Sequence, residues 1–276
     1  MACTNWKGWN VRASSRSKFR EGRGLLTLIL AAALGLSLLS VDWTGGLLHS
    51  GGVSSAVRIF GGMFTPELSP KFLALALEAT WNTLTFAVTG VTLAVGIGLP
   101  LGIVASGVLF REGWLRTSTV AAARFVLAFL RSIHELVWAW LFVVAFGLSP
   151  MAAILALALP YSGILGRLYG DFLNDVPQNP LRALRASGAS EFKTLAYGRI
   201  PMAMPDMLSY TFYRFECGVR SAAILSFVGI QGLGYQIQLS MDDLLYDQVW
   251  TLMYLLVAVI VAIDVWSSVV RRNLTR

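Results

Sequence analysis

The sequence predicts an all-α integral membrane protein with about six transmembrane helices, and its composition is the first reason. Hydrophobic residues make up 56% of the chain, charged residues only 13%, and the mean hydropathy is +0.65. Soluble domains carry roughly a quarter charged residues. The net charge of +7 does not indicate nucleic-acid binding, because most of the 22 lysines and arginines lie in the segments between apolar runs, as in membrane proteins.

The N-terminal part predicts a tail, one span and a connection. Residues 1–24 form a basic tail that we expect in the cytoplasm, and residues 25–41 form an uncharged run at the short end of what crosses a bilayer. A cleaved signal peptide is the alternative, but no small-residue cleavage site follows the run. Residues 42–73 are then an extracytoplasmic connection, and residues 74–276 a core of five further helices.

The apolar runs of this core place its spans. They lie at about 75–105, 122–146, 151–169, 204–227 and 249–269. In the first of them, Gly96, Gly98 and Gly102 favour close packing against another helix. A flexible segment at a gate is the alternative.

The distribution of positive charge predicts the orientation. With the N-terminus inside, segments 1–24, 106–124, 167–203 and 271–276 are cytoplasmic, and they hold most of the lysines and arginines. Cytoplasmic loops of membrane proteins carry such an excess. We therefore expect a multi-pass protein with both termini in the cytoplasm.

Two predicted spans carry charged or polar residues in their interior, and these are the candidate pathway residues. They are Arg131, His134, Glu135, Tyr213, Arg214, Glu216 and Arg220. Ionisable groups in hydrocarbon usually face the bundle interior and mark a path or a partner. Both spans run outward in the predicted topology, which puts the two groups at a similar depth, about 15 Å from the cytoplasmic face.

Helical spacing predicts how these charges pair. Glu135 follows Arg131 by four residues and Arg220 follows Glu216 by four, so each pair is expected on one helix face. Arg214 has no partner at this spacing and needs an oxyanion or a carboxylate from elsewhere, such as Glu135. Three arginines against two acids leave the layer cationic, which suits an anionic solute. Purely structural pairing is the alternative.

A polar segment, residues 176–201, separates the fourth and fifth spans and predicts a short helix–turn–helix. Asn179-Pro180 indicates a helix start, Gly188 a break, Ser190 a second cap and Pro201 an end. The second helix spaces its residues as one apolar stripe with a basic edge. The stripe consists of Phe192, Leu195, Ala196 and Arg199. Such a segment at a membrane surface is suited to docking another protein.

The pattern Ala183…Gly188…Ile200-Pro201 resembles the EAA loop of ABC importer permeases. Segments 131–135, 141–148 and 213–222 are similar to the phosphonate-transporter subgroup, which includes phosphite and hypophosphite permeases. The resemblance runs from about Glu78 to the C-terminus. One departure is Arg182, where the family usually has an acidic residue.

The resemblance implies a type I ABC importer transmembrane domain, in which this loop couples to cytoplasmic ATPase subunits. The residues that would make this contact are Arg182, Ala183, Arg185, Gly188, Ala189, Glu191, Phe192, Ile200 and Pro201. The implied partners are a second copy of the chain, two ATP-binding subunits and a periplasmic binding protein, in the bacterial inner membrane. The chain itself would have no catalytic site and no cofactor, since ATP and Mg belong to the ATPase subunits.

The implied function is import of a small phosphorus oxyanion: phosphonate, phosphite or hypophosphite. The alternative is a proton-coupled secondary transporter that uses His134 and Glu135. Such a transporter needs no contact with an ATPase, and residues 176–201 therefore argue against it. For an intramembrane enzyme we find no serine–histidine or paired-aspartate arrangement. With two histidines and two cysteines in the chain, we also expect no metal site.

Overall fold

A computed structural model describes residues 15–40, 51–110 and 113–274, and the regular structure within them is helical. Its first unit ends at Val57 and contains α1 (Ser15–Ser40), whose apolar part is Gly24–Ser40. The predicted tail before residue 15, the last residue of the predicted first span and residues 42–50 of the predicted connection lie outside the described residues.

The second unit, residues 58–276, holds the predicted core. The helices from the connection onward are α2 (Gly52–Gly61), α3 (Pro70–Ser106), α4 (Trp114–Ser132), α5 (Glu135–Phe146), α6 (Pro150–Asp175), α7 (Gln178–Ala186), α8 (Glu191–Thr194), α9 (Ile200–Leu225), α10 (Leu233–Asp242) and α11 (Tyr246–Leu274). Three of them, α3, α6 and α11, are long and apolar enough to cross a membrane. Two bent pairs, α4 with α5 and the α8–α9 helix with α10, raise the number to as many as five in the described residues.

The glycines of α3 pack this helix tightly against α6. A Cβ atom added to Gly102 would lie 2.5 Å from the carbonyl oxygen of Gly166, and one added to Gly98 would meet the same helix at 2.9 Å. An added Cβ on Gly96 would meet nothing within 4 Å. Close packing is therefore confirmed at two of the three glycines, and α3 runs through Pro100 without a break.

The predicted single helix over 122–146 is wrong, because the chain turns sharply near its middle. The first part, α4, ends at Ser132, Ile133 is extended, and α5 starts at an angle of 86°. His134 precedes α5, and its Nδ1 atom accepts a hydrogen bond from the backbone N–H of Leu136. A polar side chain that caps a new helix in this way stabilises the break.

The segment 176–201 contains the predicted turn but not the predicted first cap. Helix α7 starts at Gln178 after Pro177, and no side chain caps it, so the expected Asx cap is wrong. Gly188 ends the first helical part with φ +87°, a left-handed conformation that favours glycine. Ser190 caps α8 by accepting from the backbone N–H of Lys193. Both of these predictions are confirmed.

Pro201 does not end the second helix, contrary to prediction. The chain continues from α8 through a π-helical segment, Leu195–Arg199, into α9. The backbone N–H of Ile200 donates to the carbonyl oxygen of Leu195, five residues back. A proline lacks an N–H and crowds the carbonyl group four residues earlier. The wider π turn accommodates both effects, so the helix passes the proline.

Candidate functional site

A hydrogen-bonded cluster joins α5, α6 and α9 inside the core. Ser221 Oγ donates to Glu135 Oε1 at 2.8 Å, and the Tyr161 hydroxyl lies 3.1 Å from the same Oγ atom. Because the single hydroxyl proton of Ser221 is used for the carboxylate, Tyr161 is the donor in the second bond. The guanidinium carbon of Arg214 lies 4.3 Å from the centre of the Tyr161 ring. We call Glu135, Tyr161, Arg214 and Ser221 the Glu135 cluster.

The cluster contains two predicted residues and two that sequence reasoning missed. Glu135 and Arg214 come from different predicted spans, and the structure brings them to the same place. Ser221 and Tyr161 were missed because a hydroxyl group in an apolar run gives no charge signal. Tyr161 also supplies the partner that Arg214 lacked by spacing, since a ring face attracts a guanidinium group.

The predicted pairing of Arg131 with Glu135 is wrong. The break between α4 and α5 removes the helical spacing on which this pair depends. The basic side chain beside Glu135 is His134, whose Nε2 atom lies 3.9 Å from the carboxylate. Arg131 is exposed and makes no ion pair with the described residues.

The predicted pairing of Glu216 with Arg220 is also wrong. Glu216 is buried on α9, and its Oε1 atom lies 2.9 Å from Nη2 of Arg271 on α11. Arg220 points to the exposed side of the chain, and Tyr213 is exposed as well. A helix in a bundle has neighbours on several sides, so the partner four residues away is only one of those available.

These contacts leave the predicted pathway residues, taken as a set, with an excess of positive charge. Arg271 compensates Glu216, and Glu135 is the remaining carboxylate among the predicted pathway residues. Against it stand Arg131, Arg214 and Arg220, for which the described part of the chain provides no ion-pair partner. The Nε atom of Arg214 is buried and has no hydrogen-bond partner. Such unsatisfied donors are rare in folded proteins and call for an explanation.

The second candidate site is the docking segment, residues 176–201. Its predicted contact residues divide by exposure. Arg182, Ala183, Arg185, Gly188, Phe192 and Pro201 are exposed, while Ala189, Glu191 and Ile200 are partly buried. The side chain of Arg185 forms an ion pair of 3.0 Å with Glu191, which closes the turn. Tyr197 is 78% exposed and was missed, because aromatic residues are common in buried helices too.

The predicted stripe of the second docking helix is split. Phe192 is 69% exposed, whereas Leu195 and Arg199 are buried against the rest of the chain. The π turn changes the angular step between successive residues, so spacing at 3.6 residues per turn no longer assigns one face. Exposed aromatic side chains and buried side chains therefore alternate along this short helix.

The docking segment is attached to the end of α6, which is itself hydrogen-bonded to the end of α3. Nη1 of Arg199 donates to the carbonyl oxygen of Leu173 in the last turn of α6, at 2.6 Å. Nδ2 of Asn174 donates to the carbonyl oxygen of Ser106 at the end of α3. These donors satisfy carbonyl groups that a helix C-terminus leaves free. The segment and the ends of α3 and α6 thus form one polar region.

The glycine-rich segment after α9 forms a turn. Gly229 has φ +98°, and the chain re-enters a helix at Leu233. A cavity of about 390 Å³ lies beside this turn, lined by polar side chains that include Asn82, Gln231 and Tyr235.

Comparison with known proteins identifies the family. Residues 98–276 match the family described as the inner membrane component of binding-protein-dependent transport systems. The chain belongs to this family. It is therefore a permease subunit of a bacterial ABC importer, and the family implies ATP-binding subunits and a binding protein as partners. This result replaces the alternative of a proton-coupled transporter.

Three curated relatives are bacterial transport permeases. The phosphite transport system permease protein HtxC of Stutzerimonas stutzeri is 31% identical, over 76% of this chain and 72% of the relative. PtxC of the same organism, also named a phosphite permease, is 27% identical over 88% of both chains. The phosphate-import permease protein PhnE of Mycolicibacterium smegmatis is 29% identical over 81% of this chain and 41% of the relative. The predicted resemblance to this group is confirmed.

Solved structures support the fold. A chain of the MetNI methionine ABC transporter, in an inward-facing conformation, superposes with a TM-score of 0.66 over 76% of this chain and all of that one, at 23% identity. A chain of a bacterial alginate importer superposes with a TM-score of 0.56 over 91% of this chain and 99% of that one, at 14% identity. The type I importer fold predicted from the sequence is confirmed.

Proposed function

We propose that two copies of this chain form the membrane pathway of an ATP-driven importer for a small phosphorus oxyanion. The candidates are phosphonate, phosphite and hypophosphite, together with phosphate, which appears in the name of one relative. Two relatives are named as phosphite permeases. The chain would do no covalent chemistry and would hold no cofactor, because ATP and Mg are bound by the partner subunits.

The observation that carries this proposal is the guanidinium group of Arg214 in the Glu135 cluster, which has no carboxylate partner in the described residues. Arg131, Arg214 and Arg220 have no carboxylate partner in the described residues, and Arg214 has a free buried Nε–H group. A guanidinium group offers a planar fork of donors that matches the oxygen atoms of phosphorus oxyanions. A solute that passes these guanidinium groups would replace its hydrogen bonds to water with charge-assisted hydrogen bonds to arginine.

In the proposed mechanism, transport alternates between outward and inward access. Closure of the ATPase dimer would draw the two docking segments together and open the pathway outward, with both termini of the chain on the cytoplasmic side. Exposed Phe192 and Tyr197 would provide aromatic anchors in the ATPase surface, as aromatic residues often do at interfaces. Arg182 would meet the partner with a positive charge.

The test is ATP hydrolysis by the reconstituted complex with its binding protein, titrated separately with phosphonate, phosphite, hypophosphite and phosphate. We expect one of these solutes to stimulate hydrolysis, and Arg214→Gln to abolish the stimulation. Arg58→Gln, which changes an exposed arginine on α2, is the matched control and should respond normally. An intact complex that no oxyanion stimulates would refute the assigned solute class.

A further inference from the structure

A second polar cavity lies where the docking segment meets the ends of α3 and α6, away from the Glu135 cluster. Its volume is about 550 Å³, and its polar lining comes from Arg116, Asn174, Arg185, Glu191 and Arg199. These residues belong to four different elements: the first turn of α4, the last turn of α6, α7, and the helix that begins at α8. We call this space the cytoplasmic cavity, after the side of the membrane on which the predicted topology puts it.

Arg199 is the most buried of these charges. It is 8% exposed, and its Nη1 atom donates to the carbonyl oxygen of Leu173. None of the described carboxylates lies within ion-pair distance of it. A carbonyl oxygen satisfies one donor but does not neutralise the charge, and a buried charge without a counter-charge is costly. The remaining guanidinium donors of Arg199 adjoin the cavity.

Arg116, in the first turn of α4, contributes a second unpaired charge to the lining. It is half-buried, and no described residue forms an ion pair with it. Gly107, the C-cap of α3 with φ +72°, makes room for this side chain, since an added Cβ would lie 3.2 Å from Arg116 Nε. The guanidinium group therefore lies directly beside the end of α3.

The charges of the cavity do not balance. Arg185 is compensated by Glu191, which leaves the positive charges of Arg199 and Arg116. The C-termini of α3 and α6 each contribute about half a negative charge through the helix dipole. About one positive charge remains, in a partly enclosed space lined by guanidinium groups from different elements.

We propose that the cytoplasmic cavity binds a tetrahedral phosphate-type oxyanion. Guanidinium donors from two different elements suit its several oxygen atoms, as bidentate arginine–phosphate contacts do. The oxyanion could be free inorganic phosphate or the phosphate group of an anionic lipid, since the recognising chemistry is the same. Once bound, it bridges the docking segment to the first turn of α4 and fixes the segment on the core. The site does not depend on which solute the pathway carries.

The experiment measures phosphate binding by the complete complex in nanodiscs, using radiolabelled inorganic phosphate without nucleotide. One set of discs contains only phosphatidylcholine, and a second set contains phosphatidylglycerol as well, with retained lipid detected by native mass spectrometry. The test variant is Arg116→Gln, because this side chain is half-exposed and its loss removes no described hydrogen bond. Arg272→Gln, an exposed arginine near the end of α11, is the matched control.

For a free oxyanion, wild-type complex in phosphatidylcholine discs binds phosphate, and Arg116→Gln weakens this binding about tenfold or more, as expected for loss of a charge-assisted contact. For a lipid source, phosphatidylglycerol is retained by the wild type and by Arg272→Gln but lost from Arg116→Gln. Either result supports the site.

Equal binding of phosphate and of phosphatidylglycerol by Arg116→Gln and by the wild type would overturn the proposal. A second combination of results would also overturn it. In that case the wild type binds neither ligand, and Arg116→Gln loses the ATPase subunits in gel filtration whereas Arg272→Gln keeps them. That outcome would indicate that an acidic side chain of the ATPase subunit, and not an oxyanion, occupies the cavity. Stimulation of ATP hydrolysis by imported solute is a separate readout, so failure of this site and failure of the proposed function can be told apart.

Discussion

Arg271 and Glu216 form an ion pair between α11 and α9, with 2.9 Å between Nη2 and Oε1. The carboxylate is 6% exposed, so the pair fastens the last helix of the chain to the helix that carries Arg214 and Ser221. Because Arg271 neutralises Glu216, this carboxylate does not offset the charge of Arg131, Arg214 or Arg220.

We expect Arg271→Gln to destabilise the protein, because it leaves a buried carboxylate without its cation. Breaking a buried pair from one side costs about 3 kcal/mol or more. The double variant Glu216→Gln with Arg271→Gln should recover part of this loss, since no buried charge remains. Thermal unfolding of the purified complex measures both effects. Arg272→Gln is the control, and a single variant at position 271 that unfolds like it would contradict the prediction.

The packing of α3 on α6 predicts opposite effects at two glycines of the same helix. Gly102→Ala places a methyl group 2.5 Å from a carbonyl oxygen, and such overpacking costs about 1–3 kcal/mol. Gly96→Ala enters open space and should be neutral or stabilise the helix by about 0.5–1 kcal/mol. Thermal unfolding and the yield of monodisperse protein distinguish them. Equal behaviour of the two variants would show that the close approach is absent.

Ser221 is expected to position Glu135 and Tyr161 in the proposed pathway. Ser221→Ala removes a hydrogen bond to a carboxylate, worth about 1.5–3 kcal/mol. We therefore expect the solute concentration for half-maximal stimulation of ATP hydrolysis to change roughly tenfold or more, with assembly of the complex intact. Ser268→Ala is the control, because that hydroxyl bonds only to its own helix on an exposed face. Unchanged stimulation of ATP hydrolysis in Ser221→Ala would show that the Glu135 cluster is not part of the pathway.

The turn of the docking segment predicts a contrast at Gly188, whose φ is +87°. Proline cannot adopt this angle, and it also removes the N–H that donates to the Arg185 carbonyl oxygen. Gly188→Pro should therefore uncouple ATP hydrolysis from transport while membrane insertion remains. Asparagine tolerates the left-handed region, so Gly188→Asn should retain most transport. Full transport by Gly188→Pro would refute the docking role.

Much of the fold could be predicted because membrane helices are recognisable in the sequence as long apolar runs. Long apolar runs gave the helices, and the distribution of lysine and arginine gave the predicted orientation. The turn at Gly188 and the cap at Ser190 follow from local backbone preferences, which depend on a few neighbouring residues. The break at Ile133 and the passage through Pro201 could not be predicted, since the first depends on a side-chain cap by His134 and the second on a π turn, and residue spacing specifies neither.

The sequence by itself determined the class of protein, the turn within residues 176–201 and the cationic character of two spans, because hydropathy, glycine, proline and charge act locally. Only the tertiary structure decided which charges neutralise each other. Glu216 pairs with Arg271 across two helices, and Glu135 pairs with Ser221, although closer partners exist along the chain. An ion pair or hydrogen bond forms between groups that packing brings within about 3 Å. That distance is set by how helices cross, which helical spacing does not specify.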